Sequence, residues 1–212
     1  MPMTVTTAAL ARRAVLAPLL GIAALPLLSP PRPAAAQLSS RAAQFVKAAA
    51  DELVAIVNGP GSVAEKRPQL RRVVDASVDV DEIGRFCLGR HWRTASPDQQ
   101  KQYLELFRSV LLNNITAKLG EYRGVKLTFT RAQPREDTEV VSSIVERPNN
   151  PPAAVDWVVG NPATRPKIID VVAEGTSMRL TQRSDYAAYL ARNNNNVGAL
   201  IEAMRQQIAR FG

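Results

Sequence analysis

Between residues 40 and 58 apolar side chains recur at helical spacing, with Phe45, Ala49, Leu53, Ile56 and Val57 marking one face. Ser39 or Ser40 supplies a capping hydroxyl, and Asn58-Gly59-Pro60-Gly61 stops the element. Two short helices are predicted over 68–78 and 80–88, split near Ser77-Val78-Asp79. Ser96-Pro97-Asp98 then combines a cap, a proline at the first helical position and an acid facing the helix dipole. Leu104, Phe107, Leu111 and Ile115 continue as a single apolar stripe, so one helix is expected from 97 to about 122.

After Gly124 the period falls from 3.6 to 2. Val125, Leu127 and Phe129 alternate with Lys126, Thr128 and Thr130. Three more strands are predicted at 138–146, 153–159 and 167–174. In the third, Val155, Trp157 and Val159 share a face. The connections, among them Pro148-Asn149-Asn150-Pro151-Pro152 and Gly160-Asn161-Pro162, are short and polar, which suits antiparallel neighbours. Two helices, about 177–192 and 197–210, finish the chain around Asn193-Asn194-Asn195-Asn196. The order is helices, a four-stranded antiparallel meander, then two helices: an α+β fold, with an apolar face of the sheet that the helices must cover.

The first 36 residues differ in kind. They contain Arg12, Arg13 and Arg32 and no acid, an uncharged run from Ala14 to Pro30, and Ala34-Ala35-Ala36 at the end. These are the parts of a cleavable secretory signal peptide, with cleavage expected after Ala36 and one domain over 37–212. A membrane anchor fits less well: Pro18, Pro26 and Pro30 interrupt a run shorter than the ~20 residues a span requires. Arg12-Arg13 followed by Ala14-Val15-Leu16 resembles a twin-arginine signal, so the export route stays open. Removal of the leader lowers the net charge from +8 to +5. That excess suits an anionic partner or lipid surface. No stretch interleaves clustered Lys/Arg with aromatics, so no nucleic-acid partner is expected.

Catalytic chemistry finds little support. Cys87 stands alone, which excludes a disulfide, and with His91 it supplies two ligands where a structural zinc site needs four. A Cys87–His91 nucleophilic pair is interrupted by Gly89, so a buried structural Cys is the better reading. Gly175-Thr176-Ser177-Met178-Arg179 sits where a nucleophile elbow would, but Arg179 replaces the second glycine and no His follows, so Ser177 reads as a helix cap. Asp79, Asp81 and Glu82 resemble a calcium loop only until Arg90 occupies the position of its last acid. No metal, cofactor or enzymatic activity is expected. The residues alone describe a small exported binding module.

Two passages carry a resemblance. Leu88-Gly89-Arg90-His91-Trp92-Arg93-Thr94-Ala95-Ser96-Pro97 resembles the LG-x-x-W-x-x-A-(T/S)-P passage of the MlaC family, also called toluene-tolerance auxiliary proteins. Asp170-Val171-Val172-Ala173-Glu174-Gly175-Thr176-Ser177-Met178 resembles the family's D-x-x-x-E-G-x-S-(M/L) passage at the strand-to-helix junction. The resemblance extends over nearly all of 40–210. It implies a monomeric periplasmic carrier that holds phospholipid acyl chains between sheet and helices. Its implied partners are an outer-membrane lipoprotein complex and an inner-membrane ABC transporter with an MCE-domain protein. Relatives associated with hopanoid biosynthesis make a polycyclic lipid an alternative cargo. An exported hydrolase on an NTF2-like scaffold and a cargo-free envelope subunit are the readings from other classes. The motifs do not encode lipid contacts; the sheet face and helix stripe nominate Phe107, Leu111, Ile115, Leu127, Phe129, Val155, Trp157 and Val171. Glu174, on the polar face of the last strand, is the expected partner contact.

Overall fold

The computed structural model describes residues 38–210; the leader expected over 1–36 lies outside them. Among the described residues six α-helices and a five-stranded sheet follow in the order α1 (Arg41–Asn58), α2 (Val63–Ser77), α3 (Val80–Leu88), α4 (Pro97–Ala117), β1 (Lys126–Arg135), β2 (Thr138–Glu146), β3 (Ala153–Gly160), β4 (Lys167–Ala173), β5 (Thr176–Ser177), α5 (Met178–Arg192) and α6 (Val197–Ala209). The sheet is an antiparallel meander in the order β1-β2-β3-β4-β5.

Three boundaries differ from the sequence expectation. Helix α2 begins at Val63, five residues before Pro68, because Ser62 and Glu65 form a reciprocal capping box: Glu65 N donates to Ser62 Oγ at 3.3 Å and Ser62 N to Glu65 Oε2 at 2.7 Å. That cap outweighs the one backbone bond proline removes. Helix α4 ends at Ala117, and a 3₁₀ turn over 119–122 completes the descent expected as α-helix. The sheet gains a fifth strand: Glu174 and Gly175, at φ of 49° and 80°, form a two-residue hairpin that folds Thr176 and Ser177 back onto Val172 and Ala173. Left-handed backbone at both central positions is what tight hairpins demand, and glycine meets it without strain.

Register shifts at Phe129/Arg131 and Val158/Val159 bend the sheet. The side chains cluster in three apolar groups. One is built by helices alone, with Val80, Cys87 and Leu88 of α3, Tyr103, Phe107 and Val110 of α4, Leu190 of α5 and Met204 of α6. There α3 approaches α4 closely: a Cβ on Gly84 would lie 2.8 Å from Leu104 Cδ2, and Tyr103 Oη donates to Gly84 O at 2.8 Å. The second group joins α1, α2 and α4 to Val125 and Val145. The third joins the start of α1 to Ala132, Val141, Val159 and Ile168. Arg108 of α4 ties two helices together through Asp75 of α2 at 2.6 Å and Asp81 of α3 at 3.0 Å.

Beyond the second apolar group, helices meet the sheet at two further places. Helix α1 lies over β1 and β2, its Ser40 hydroxyl donating to the buried Glu139 carboxylate while accepting from Ala43 N at 3.0 Å. Helices α3 and α5 contact β4 instead. The chain entering α3 binds the edge of β4, Asp79 N donating to Ile168 O at 2.9 Å, so this edge is not left open.

Candidate functional site: a half-buried apolar strip on the sheet

Pairing across the meander puts Phe129, Ser143, Val155 and Ala173 in one row. The next row holds Val141, Trp157 and Val171, and Leu127 pairs with Val145 and through it with Ala153. Directly paired residues share a face, so these rows form one apolar surface on the helix side. Parts of it are tightly covered, since Ala132, Val141, Val145, Val159 and Ile168 are buried. Flanking the buried Val141, Ser143 and Val145 of β2, Leu127 and Phe129 on β1 and Val155, Trp157, Val171 and Ala173 on β3 and β4 are only half-buried. Leu127 and Val155 pack against the second apolar group, and Phe129, Trp157 and Val171 against the third, at the start of α1.

Of the eight nominated residues, five share this face and are half-buried: Leu127, Phe129, Val155, Trp157 and Val171. Leu111 and Ile115 are half-buried on α4 and pack toward the helical group. Phe107 is buried there, its ring 5.8 Å from Tyr103 and 6.3 Å from Tyr186. Sequence reasoning left out Phe45, Ala49 and Leu53, a half-buried stripe on α1. Their spacing was visible as helical; what the pattern lacks is any sign that the stripe stays partly exposed.

The polar groups in the strip are consumed within it. Trp157 Nε1 donates to Ser143 Oγ at 3.0 Å, and Ser143 Oγ donates to Val155 O at 3.2 Å. Ser143 is 1% exposed. No indole or hydroxyl hydrogen is thus left over in this stretch to demand water or a polar ligand, and the surface is chemically apolar.

The second family-like passage builds the junction beside the strip. Asp170, 6% exposed, accepts from Val171 N at 2.8 Å, Arg179 N at 3.1 Å and Ser177 Oγ at 2.5 Å, with Arg179 Nε at 3.6 Å. Ser177 in turn caps α5 by accepting from Leu180 N at 3.2 Å. Ser177 is a helix cap, as its sequence context indicated. Glu174 takes no part in that start; it stands exposed at the hairpin turn, its N–H donating to Ala154 O at 2.9 Å.

Cys87 and His91 are separated by the glycine stop at Gly89, whose φ is 59°. The Cys87 thiol is buried, donates to Arg179 O at 3.5 Å and has its pKa pushed up to about 12 by that burial. The His91 pKa is lowered, by burial first and by the neighbouring Arg90 charge second. Neither shift favours a thiolate–imidazolium pair. Among the described residues no three His, Cys, Asp or Glu side chains gather where they could hold a metal ion. No described helix is long and apolar enough to cross a membrane.

Two surface grooves lie away from the strip. One of about 640 Å³ runs over the opposite sheet face between Arg131, Arg135, Val140, Asp156, Val158 and Val172; another of about 340 Å³ lies between α5 and α6. The eight nominated residues line neither.

The architecture is therefore an α+β domain in which helices flank one face of a bent antiparallel meander. A family model described as MlaC protein matches residues 47–206, and the chain belongs to the MlaC family. A similar solved structure is that of the phospholipid-binding protein from Ralstonia solanacearum in complex with a phospholipid. The two align with a TM-score of 0.68 and 24% identity, over 81% of this chain and 99% of that one.

Proposed function

We propose that this protein is a periplasmic lipid carrier, not an enzyme, and that the half-buried strip receives acyl chains. The carrying observation is that Leu127, Phe129, Val155, Trp157 and Val171 share one sheet face and are all half-buried. Half-buried side chains with no unmet polar group suit methylene groups, and Phe45 and Leu53 of α1, which pack against the same apolar groups, are the apolar walls available to them. Membership of the MlaC family and the phospholipid held by the Ralstonia protein support the cargo class. The energetic case is direct: each methylene removed from water is worth ~0.8 kcal/mol, so a sixteen-carbon chain is worth about 12 kcal/mol. A lipid crossing water alone forfeits that amount for each chain. A carrier holds it back through non-directional contacts that release as readily as they form.

In this reading the leader directs export, and lipid moves between an outer-membrane complex and an inner-membrane ABC/MCE transporter, with the exposed Glu174 turn as a protein contact. Glu174→Arg then weakens binding to one of those partners; unchanged affinity for both removes Glu174 from the account. The strip is tested by Val155→Trp, and the α4 nomination by Ile115→Trp. Both variants should stay folded by circular dichroism and lose bound lipid. If the strip is an ordinary filled core, the same changes overpack it, lowering stability by about 1–3 kcal/mol.

A further inference from the structure

A second surface was not assembled by any single stretch of sequence. The 3₁₀ turn after α3 carries Arg90 and Arg93 three residues apart, hence on one side of the turn, and Arg85 lies over the Trp92 ring at 5.5 Å. From the far end of the chain, α5 brings Arg179 and Arg183 to the Phe86 ring at 4.4 and 4.9 Å. Arg183 also approaches Gly89, where a Cβ would sit 3.3 Å from its Nε. The five arginines are thus contiguous. The acids among them are Asp170, which is buried and engaged by Arg179, and Glu82, which is exposed within the fields of Asp79, Arg179 and Arg85. Arginines still outnumber these acids five to three.

Two features narrow its occupant. Every cation here is arginine, whose planar fork matches phosphate oxygens two at a time and whose weak hydration favours interfaces. Beside them, in the first turn of α5, Met178 and Leu180 stand 44% and 56% exposed, two of the three large apolar side chains left outside among the described residues. Apolar side chains flanked by arginine match the layered chemistry of a bilayer surface, phosphate outside and hydrocarbon beneath. An acidic protein would satisfy the arginines and leave Met178 and Leu180 unexplained.

We propose that the face formed by Arg85, Arg90, Arg93, Arg183, Met178 and Leu180 docks directly on an anionic phospholipid bilayer. The position is apt: Asp170 holds Arg179 N and Val171 N together, so the face adjoins the β4 end of the apolar strip. The test is cosedimentation of the purified protein with vesicles of phosphatidylcholine alone or mixed with phosphatidylglycerol. Binding should require phosphatidylglycerol and weaken with salt. Reversing Arg90→Glu and Arg93→Glu together should weaken it at least ~20-fold, as an arginine at an anionic surface contributes about fivefold or more. Met178→Ser with Leu180→Ser should weaken binding without removing its salt dependence. Four results overturn the proposal: equal binding to both vesicle types, no effect of the arginine reversal, affinity for inorganic phosphate without affinity for vesicles, or affinity for polyglutamate with vesicles ignored. Vesicle binding is read without reference to cargo, so failure of the acyl-chain reading leaves this test intact.

Discussion

The carboxylate of Asp170 accepts the Ser177 hydroxyl at 2.5 Å, and that hydroxyl caps helix α5. One buried acid therefore fixes the end of β4, the hairpin after it and the entry of the next helix. Alanine at 170 removes three acceptor contacts and leaves Arg179 without its ion pair. Asp170→Ala should cost about 2–4 kcal/mol in urea unfolding, against ~1 kcal/mol for Ser177→Ala, which loses only the cap. Equal costs would show that the acid contributes nothing beyond the cap.

With its pKa at about 12, the Cys87 thiol is held neutral by burial. At pH 8 only about one molecule in ten thousand carries the thiolate. Labelling by a thiol reagent should be far slower for the native protein than in urea, and should follow local opening. Native labelling as fast as unfolded labelling would contradict the buried position.

His91 gives stability a pH dependence with a definite sign. Its folded pKa lies below the ordinary 6.5, so the unfolded chain takes up a proton first as pH falls. Folding stability should then decline as pH drops through 6.5 toward the folded value. Glu82 acts oppositely and lower, its raised pKa favouring the folded state as pH falls toward 4.5. Urea midpoints at pH 8 and pH 5.5 should therefore differ less for His91→Gln than for the unsubstituted protein. An identical difference would remove His91 from the account.

Much of the fold was legible because local patterns and caps agreed with it. Ser96-Pro97, the alternation from Leu127 to Phe129 and the asparagine run before α6 each carry their own signal. The start of α2 lies five residues before Pro68 because the Ser62–Glu65 box caps it, a signal the apolar spacing does not carry. The fifth strand was missed because two residues show no alternation. Periodicity nominated the five strip residues on the sheet, since a period of two assigns a face. It could not separate Phe107, sealed among Tyr103 and Tyr186, from Leu111 and Ile115 on the same helix stripe, because burial depends on which helix lies opposite. The arginine face was invisible for a simpler reason: Arg85–Arg93 and Arg179–Arg183 are joined only when α3 packs on α5.

The central claim, that the strip between sheet and helices carries lipid, is met most directly by native mass spectrometry. Residues 37–212 should be purified from a bacterial periplasm without detergent, and whatever is bound extracted into solvent. The account predicts a discrete added mass that extracts as phospholipid; a polycyclic lipid would keep the carrier and change its cargo. A clean unliganded mass, unchanged after incubation with lipid vesicles, would contradict it and leave an envelope subunit without cargo.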